Sequence, residues 1–360
     1  IKKNFTLLFF AFVSLAFSQA GAPTTPYYNG FNWTLTGMNL KNALATKITT
    51  THTTNLTYSQ VWEALKIVDL DPANSSNVLL VYGWENGSDG DVTNDRSRNK
   101  NSNGGAVGDW NREHVFAQSL GNPDLGSSGP GADAQMLRSS DVQRNGTRGN
   151  RLFASGSGIN SFTVGTNGWY PGNEWKGDVA RIVMYMYLRY GSQCLPTYVT
   201  IGSTNATDSN MVDLLLQWNS EDPVSQYEDN RNTYLGNASN AYGQGNRNPF
   251  IDNPYLATVI WGGPVAENRW PAIFLSAEDF VSVENASIYP NPAINNEVYV
   301  STATELKSIV LYNINGQIIQ EIKNPSKVND AYKVSDLPKG FYLIQLATEN
   351  ASTTKKIIVN

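Results

Sequence analysis

The chain has 360 residues, a net charge of −5, 40% apolar and 16% charged residues, and one cysteine. That length exceeds one small domain and predicts two. The lone Cys194 excludes an intrachain disulfide and a two-cysteine metal site, and is expected to be a small buried residue. The acidic balance argues against nucleic-acid binding by the whole surface, yet residues 95–151 run the other way, with eight Lys/Arg against six Asp/Glu.

Lys2 and Lys3, an apolar run from Phe5 to Phe17 and the small residues Ala16 and Ser18 predict a secretory signal peptide over residues 1–18. The run is too short for a stable membrane span. Leu40 to Ala45 and Thr57 to Val68 read as helices, the second with Thr57 and Gln60 at capping-box spacing. The apolar run Asn77 to Gly83 reads as a buried strand, and Glu85 to Gly108, rich in Gly, Asn, Asp and Ser, as a loop. Trp110 to Ala117 is predicted to be a strand and Ala134 to Arg144 a helix. Gly177 to Tyr190 has the broadest apolar helical face, and Met211 to Trp218 continues helical. The polar, Pro-punctuated segments Asn219 to Val224 and Gln244 to Asp252 are expected outside the core. After Pro264 the character changes to short strands at Val298–Val300, Ser308–Tyr312, Tyr342–Leu346 and Lys355–Val359. Turns are expected at Asn291-Pro292, Asn315-Gly316 and Pro338-Lys339-Gly340, which together predict a small β-sandwich.

The stretch with most chemistry is Asp109-Trp110-Asn111-Arg112-Glu113-His114-Val115-Phe116, followed by Asp133 to Arg138 and Asp141 to Asn150. His114 is one of only two histidines. An imidazole beside a carboxylate can take a proton from water, Glu and Asn oxygens suit a hard cation, and arginines match phosphate geometry. Neighbouring residues on a strand face opposite ways, so Glu113 and His114 can share a centre only at a strand end or bulge. Other residues carry plainer readings. His52 in a Thr-rich stretch is expected to be exposed. Asp133 reads as a metal ligand or a helix N-cap, the structural role being favoured. Glu174 and Asp178 suit a helix start. Trp169, Trp175 and Trp261 are expected in the core.

Two resemblances are carried by these blocks. Residues from about 25 to 263 resemble the bacterial secreted endonuclease I family, built on the His-Me finger (ββα-metal) nuclease motif. The match rests on Trp110 to Val115, Asp133 to Arg138, Asp141 to Asn150, Lys176 to Arg181, Gln244 to Asp252 and Ile260-Trp261-Gly262. Residues 287–360 resemble the C-terminal sorting domain of the type IX secretion system of Bacteroidetes, through Ile288-Tyr289-Pro290-Asn291-Pro292, Leu311 to Gln317, Leu337 to Tyr342 and Lys355 to Val359. Residues 264–286 would be the linker.

The resemblance implies an α+β protein: a mainly helical nuclease domain around a ββα-metal core, then the small β-sandwich. It implies His114 as general base, and Glu113 and Asn145 as ligands of one divalent cation, Mg²⁺ or else Mn²⁺ or Ca²⁺. Arg112, Arg144 and Arg148 would bind phosphate, and Arg138, Arg144 or Arg148 would stabilise the transition state. Such enzymes cut DNA and often RNA to 5′-phosphates. The expected protein is a secreted or surface-held monomer without a membrane span, exported by the type IX machinery. Two positions depart from the family pattern: Gln135, where His is common, and Met136, where His or Asn is common. That departure keeps open an alternative, a disabled nuclease scaffold that binds nucleic acid or acts as an adhesive.

Overall fold

A computed structural model describes residues 23–274, 283, 285–348 and 352–360. The segment predicted to be a signal peptide and part of the predicted linker lie outside them. Two compact units emerge, one over Thr25–Arg269 and one from Trp270 onward. Helix makes up 29% of the chain, and the first domain, expected to be mainly helical, is a mixed α+β unit in which helices alternate with short strands and irregular segments.

The first unit opens with α1 (Gly37–Thr51) and α2 (Tyr58–Val68). Thr57 caps α2: its hydroxyl accepts from the Gln60 amide while the Gln60 side chain accepts from the Thr57 amide, the reciprocal pair read from the sequence. A three-stranded sheet follows, β1 (Leu70–Asp71), β2 (Asn74–Leu79) and β3 (Ser97–Asn99). The apolar run at Val78 to Tyr82 is buried as expected, although regular pairing ends at Leu79.

Next come two antiparallel strands and a helix: β4 (Trp110–His114), β5 (Leu137–Asp141) and α3 (Val142–Arg148). The predicted helix over Ala134 to Arg144 is therefore wrong. Leu137 to Asp141 pairs residue for residue with β4, His114 opposite Leu137 and Trp110 opposite Asp141, and all five residues are buried. The available partner strand overrides the helical propensity of Met136, Leu137 and Arg138. The helix starts only after Asp141, whose carboxylate accepts from the Arg144 amide as its cap.

A second three-stranded sheet, β6 (Leu152–Phe153), β7 (Phe162–Val164) and β8 (Gly168–Tyr170), precedes α4 (Lys176–Tyr190), the most buried helix of the unit. It packs against α1 and, beyond α5 (Pro196–Val199), against α6 (Asp213–Glu221). The unit ends with α7 (Gln226–Leu235), α8 (Pro249–Asp252) and α9 (Tyr255–Trp261).

The segment Gln244 to Asn253 corrects another expectation, because Gln244, Asn246, Asn248 and Asn253 are fully buried. Their burial is tolerated because their amides are bonded. Gln244 accepts from the Ala134 amide and donates to Asp133, Asn246 donates to the Tyr185 hydroxyl, and Asn248 donates to the Arg181 carbonyl.

In the second unit, β9 (Ser287–Ile294), β10 (Glu297–Ser301), β11 (Ser308–Asn313), β12 (Ile318–Lys323), β13 (Lys327–Val328), β14 (Ala331–Val334), β15 (Gly340–Ala347) and β16 (Ser352–Val359) form one curled sheet rather than two separate ones. Its order is β12-β11-β15-β16-β9-β10-β14-β13. A single parallel pairing, Val359 with Ala293, joins the halves around one apolar cluster that includes Val298, Val300, Ile309, Ile344 and Leu346. The turn at Asn315-Gly316 is present, with Gly316 at φ 78°, whereas Asn291-Pro292 lies inside β9.

Candidate active site

β4 carries the site, and its two faces meet different helices. Trp110, Arg112 and His114 alternate onto one face, where α2 lies. Trp62 meets the Trp110 ring at 5.2 Å between centroids. The Arg112 guanidinium lies over both Tyr58 and Trp62, 3.5 and 4.3 Å from their ring centres, and donates to the Tyr58 carbonyl. Tyr58 also stacks on His114, at 5.6 Å and 29°. Asn111 and Glu113 alternate onto the other face, toward α3. There the Asn145 Nδ2 donates to the Asn111 Oδ1 at 2.7 Å, and an Arg148 nitrogen sits 3.2 Å from the Glu113 carboxylate.

His114 is the last residue of β4, and at that strand end both it and Glu113 reach a common cleft of about 290 Å³. Arg112, Asn145, Arg148 and Asn150 line it with them.

The His114 Nε2 is 3.0 Å from the Gly131 carbonyl oxygen. A carbonyl only accepts, so Nε2 carries the proton and the neutral ring keeps its lone pair on Nδ1. Burial, with Arg112 and Arg148 nearby, holds this imidazole below its usual pKa. Burial pushes the Glu113 carboxyl up to about 7, against the opposing pull of Arg148 and of the Tyr82 hydroxyl, which donates to it at 2.9 Å. The Asn145 Nδ2 is spent on Asn111 and the Arg112 carbonyl, which leaves Oδ1 without a partner among the described residues. The Nε–H groups of Arg112 and Arg148 are buried and likewise lack partners.

Arg138 and Arg144 lie apart from the cleft lining. Arg138 is fully buried, with its guanidinium 2.7 Å from Asp178 and bonded to the Tyr227 hydroxyl, in a buried ion pair away from the cleft lining. Arg144 bonds the Thr93 carbonyl and hydroxyl and lies over the Trp84 ring. Much of the basic excess over residues 95–151 is spent inside the fold in the same way: Arg96 pairs with Glu174, and Arg98 with Asp141. Arg148 and Arg112 are the members of the predicted phosphate set that line the cleft.

Asp133 sits elsewhere, as a buried acceptor for the Tyr185 and Tyr190 hydroxyls, the Gln244 side chain and the Gln135 amide. Its role is structural, but as a buried acceptor and not as the expected N-cap, since α3 starts at Val142 with Asp141 as its cap. Gln135 belongs to this buried network, donating to the Asn246 carbonyl at 3.0 Å, and not to the cleft. His52, expected to be exposed, is half-buried against Arg189 and Gln244. Trp169, Trp175 and Trp261 are core residues, and Cys194 is buried, its thiol pushed up to about 12 by that burial.

Sequence reasoning missed three contributors: Tyr58, Asn111 and Tyr82. Asn111 lay within the motif, but its task depends on α3 starting at Val142. Tyr82 has φ 77°, an uncommon backbone state for a bulky residue, and is followed by Gly83, where a Cβ would lie 2.1 Å from the Asp95 carbonyl oxygen. No local pattern marks it as the Glu113 partner.

The donor chemistry fits one kind of cation. Among the described residues, no three His, Cys, Asp or Glu side chains converge. A carboxylate and an open carboxamide oxygen suit a hard ion that retains most of its water.

A family model for Endonuclease I matches residues 36–255, and one for a secretion system C-terminal sorting domain matches residues 287–360. An extracellular ribonuclease of Bacillus amyloliquefaciens is 42% identical over 69% of this chain and 82% of its own length. One of Bacillus subtilis is 43% identical over 67% and 80%. Among solved structures, PorZ, a surface component of the type IX secretion system of Porphyromonas gingivalis, matches 23% of this chain at 12% identity. Its TM-score is 0.20, and this chain spans 12% of PorZ. A likeness that slight carries no weight here.

Proposed function

The chain belongs to the Endonuclease I family, and from that premise we propose that it is a non-specific, metal-dependent endonuclease whose active centre is the Glu113–His114–Asn145–Arg148 cleft, acting on DNA and RNA. It is a phosphodiester-hydrolysing nuclease with a type IX sorting tail, secreted or held at the cell surface. The family is generally metal-dependent.

The observation that carries the reading is one cleft lined by Arg112, Glu113, His114, Asn145 and Arg148, in which the His114 Nδ1 keeps its lone pair and the Asn145 Oδ1 has no partner among the described residues. A phosphodiester with an attacking water supplies what each lacks. The β4–β5–α3 unit is read as the His-Me finger.

Glu113 and Asn145 would hold Mg²⁺ or a similar ion, one per site. When bound, it offers Lewis-acid stabilisation of charge on the phosphate and on the leaving 3′ oxygen. His114, neutral because burial holds its pKa down, takes a proton from water at Nδ1 while Gly131 fixes the ring through Nε2. The oxygen of that water bonds to phosphorus, the P–O3′ bond breaks, and the products are a 5′-phosphate and a 3′-hydroxyl. Arg112 would bind a non-bridging phosphate oxygen, while Arg148, buried and bonded to the His114, Gly149 and Val115 carbonyls, would add its positive charge beneath Glu113. Contacts confined to phosphate give affinity without reading bases, which supports DNA and RNA alike. The relatives named as ribonucleases support the RNA half.

The test is cleavage of plasmid DNA and of a structured RNA by the purified enzyme, with Mg²⁺ and with EDTA. Cutting of both substrates that EDTA abolishes is expected. Cleavage insensitive to EDTA, or none with any divalent ion, would overturn the proposal.

A further inference from the structure

Tyr58 is the first residue of α2, half-buried, and it touches both chemical parts of the cleft at once. Its ring stacks on the His114 imidazole at 5.6 Å and 29°. The Arg112 guanidinium lies 3.5 Å from the centre of the same ring, and the Tyr58 carbonyl accepts from Arg112. His114 and Arg112 stand two apart on β4, so their side chains leave the same face, and one aromatic plane reaches both.

The geometry requires something of this kind. The hydrogen bond from His114 Nε2 to the Gly131 carbonyl fixes one atom of the ring but leaves rotation about that bond open. A flat partner against the ring removes that freedom, and with it the scatter in where the Nδ1 lone pair is aimed. Trp62, one turn further along α2, lies over Arg112 and Trp110 but has no ring contact with His114 among the described residues. The two aromatics therefore divide the work: Trp62 bears on the guanidinium alone, Tyr58 on the guanidinium and the base.

We propose that Tyr58 is a positioning residue, whose ring face sets the plane of the His114 imidazole and the Arg112 guanidinium together, so that proton acceptor and phosphate fork keep a fixed separation. The inference rests on the reading of His114 as general base. It assigns the work to the face of the ring, not to the phenol hydroxyl.

The experiment compares Tyr58→Phe, Tyr58→Leu and Trp62→Leu in the full-length enzyme with Mg²⁺ and plasmid DNA, and repeats Tyr58→Leu in a His114→Ala background. Folding of each variant is checked by thermal unfolding. Tyr58→Phe keeps the face and should turn over like the wild type. Tyr58→Leu should lower kcat roughly 10-fold or more, as misplacement of a catalytic group does. Trp62→Leu should act mainly on KM. In the His114→Ala background, Tyr58→Leu should cost clearly less kcat than in the wild type, because only Arg112 is left for the ring to position. An equal loss in both backgrounds, or a Tyr58→Phe variant as slow as Tyr58→Leu, would overturn the positioning role. If Tyr58→Leu fails to fold, Tyr58→Phe together with Tyr58→Trp, which restores a flat face, decides the matter by the same rule. His114→Ala alone retaining full activity would sink the general-base reading instead, so the two failures are distinguishable.

Discussion

The cleft at the end of β4 and the buried network around Asp133 are made of the same residue types, yet they are in opposite states. Around Asp133 the oxygens are engaged: two tyrosine hydroxyls, the Gln244 carboxamide and the Gln135 amide converge on one carboxylate. In the cleft, Asn145 keeps an open Oδ1, and Arg112 and Arg148 each keep a buried Nε–H without a partner. A buried polar group left unbonded costs roughly 1–3 kcal/mol. The Asp133 network avoids that cost and stabilises the fold. The cleft bears it and is thereby ready for a ligand.

Substitutions should separate the two regions. The largest effect on rate is expected in the cleft: His114→Ala should slow cleavage at least ~10²-fold and leave the melting temperature and DNA affinity close to those of the wild type. Single-turnover kinetics and filter binding check this, and a melting temperature that falls with the activity would make His114 part of the scaffold. The Asp133 network should answer the other way. Asp133→Ala removes the acceptor of four donors and should destabilise by on the order of 3 kcal/mol or more, as read by urea unfolding. Activity at low temperature should be largely retained, and loss of activity in a variant of unchanged stability would move Asp133 into the active site.

Gln135→His is a milder probe of the same boundary. Since Gln135 donates to the Asn246 carbonyl within the buried network, the change should lower stability by about 1 kcal/mol and alter the rate by less than ~10-fold. A jump from silence to strong activity would revive the disabled-scaffold alternative. The smallest effect on chemistry is expected from the sorting unit: deleting residues from 287 onward should stop export in the native host and leave turnover of the purified protein unchanged.

The contrast also explains how much was legible in the sequence. Glu113 and His114 stood out because the pair is local and histidine is scarce, with two in the whole chain, whereas Asn145 was named through the family resemblance. The capping box at Thr57 and Gln60 was legible for the same reason, being complete within four residues. The helix predicted over Ala134 to Arg144 failed because its strand character comes from pairing with β4. That Arg138 and Arg144 would lie apart from the cleft lining was not legible, because an arginine's destination depends on partners such as Asp178 and Thr93, each distant in sequence. Burial of Gln244, Asn246 and Asn248 was invisible for want of any cue that their partners would be Asp133, Tyr185 and Arg181. Single-residue chemistry can be read from a sequence, whereas satisfaction of a polar group is a property of the fold.

The most direct test of the open cleft is a Mn²⁺ titration of the full-length protein and of its Glu113→Gln and Asn145→Ala variants, followed by isothermal calorimetry. The account predicts one ion per chain in the wild type, and affinity weakened at least ~10-fold in each variant with folding intact. Unchanged affinity in both variants would contradict it.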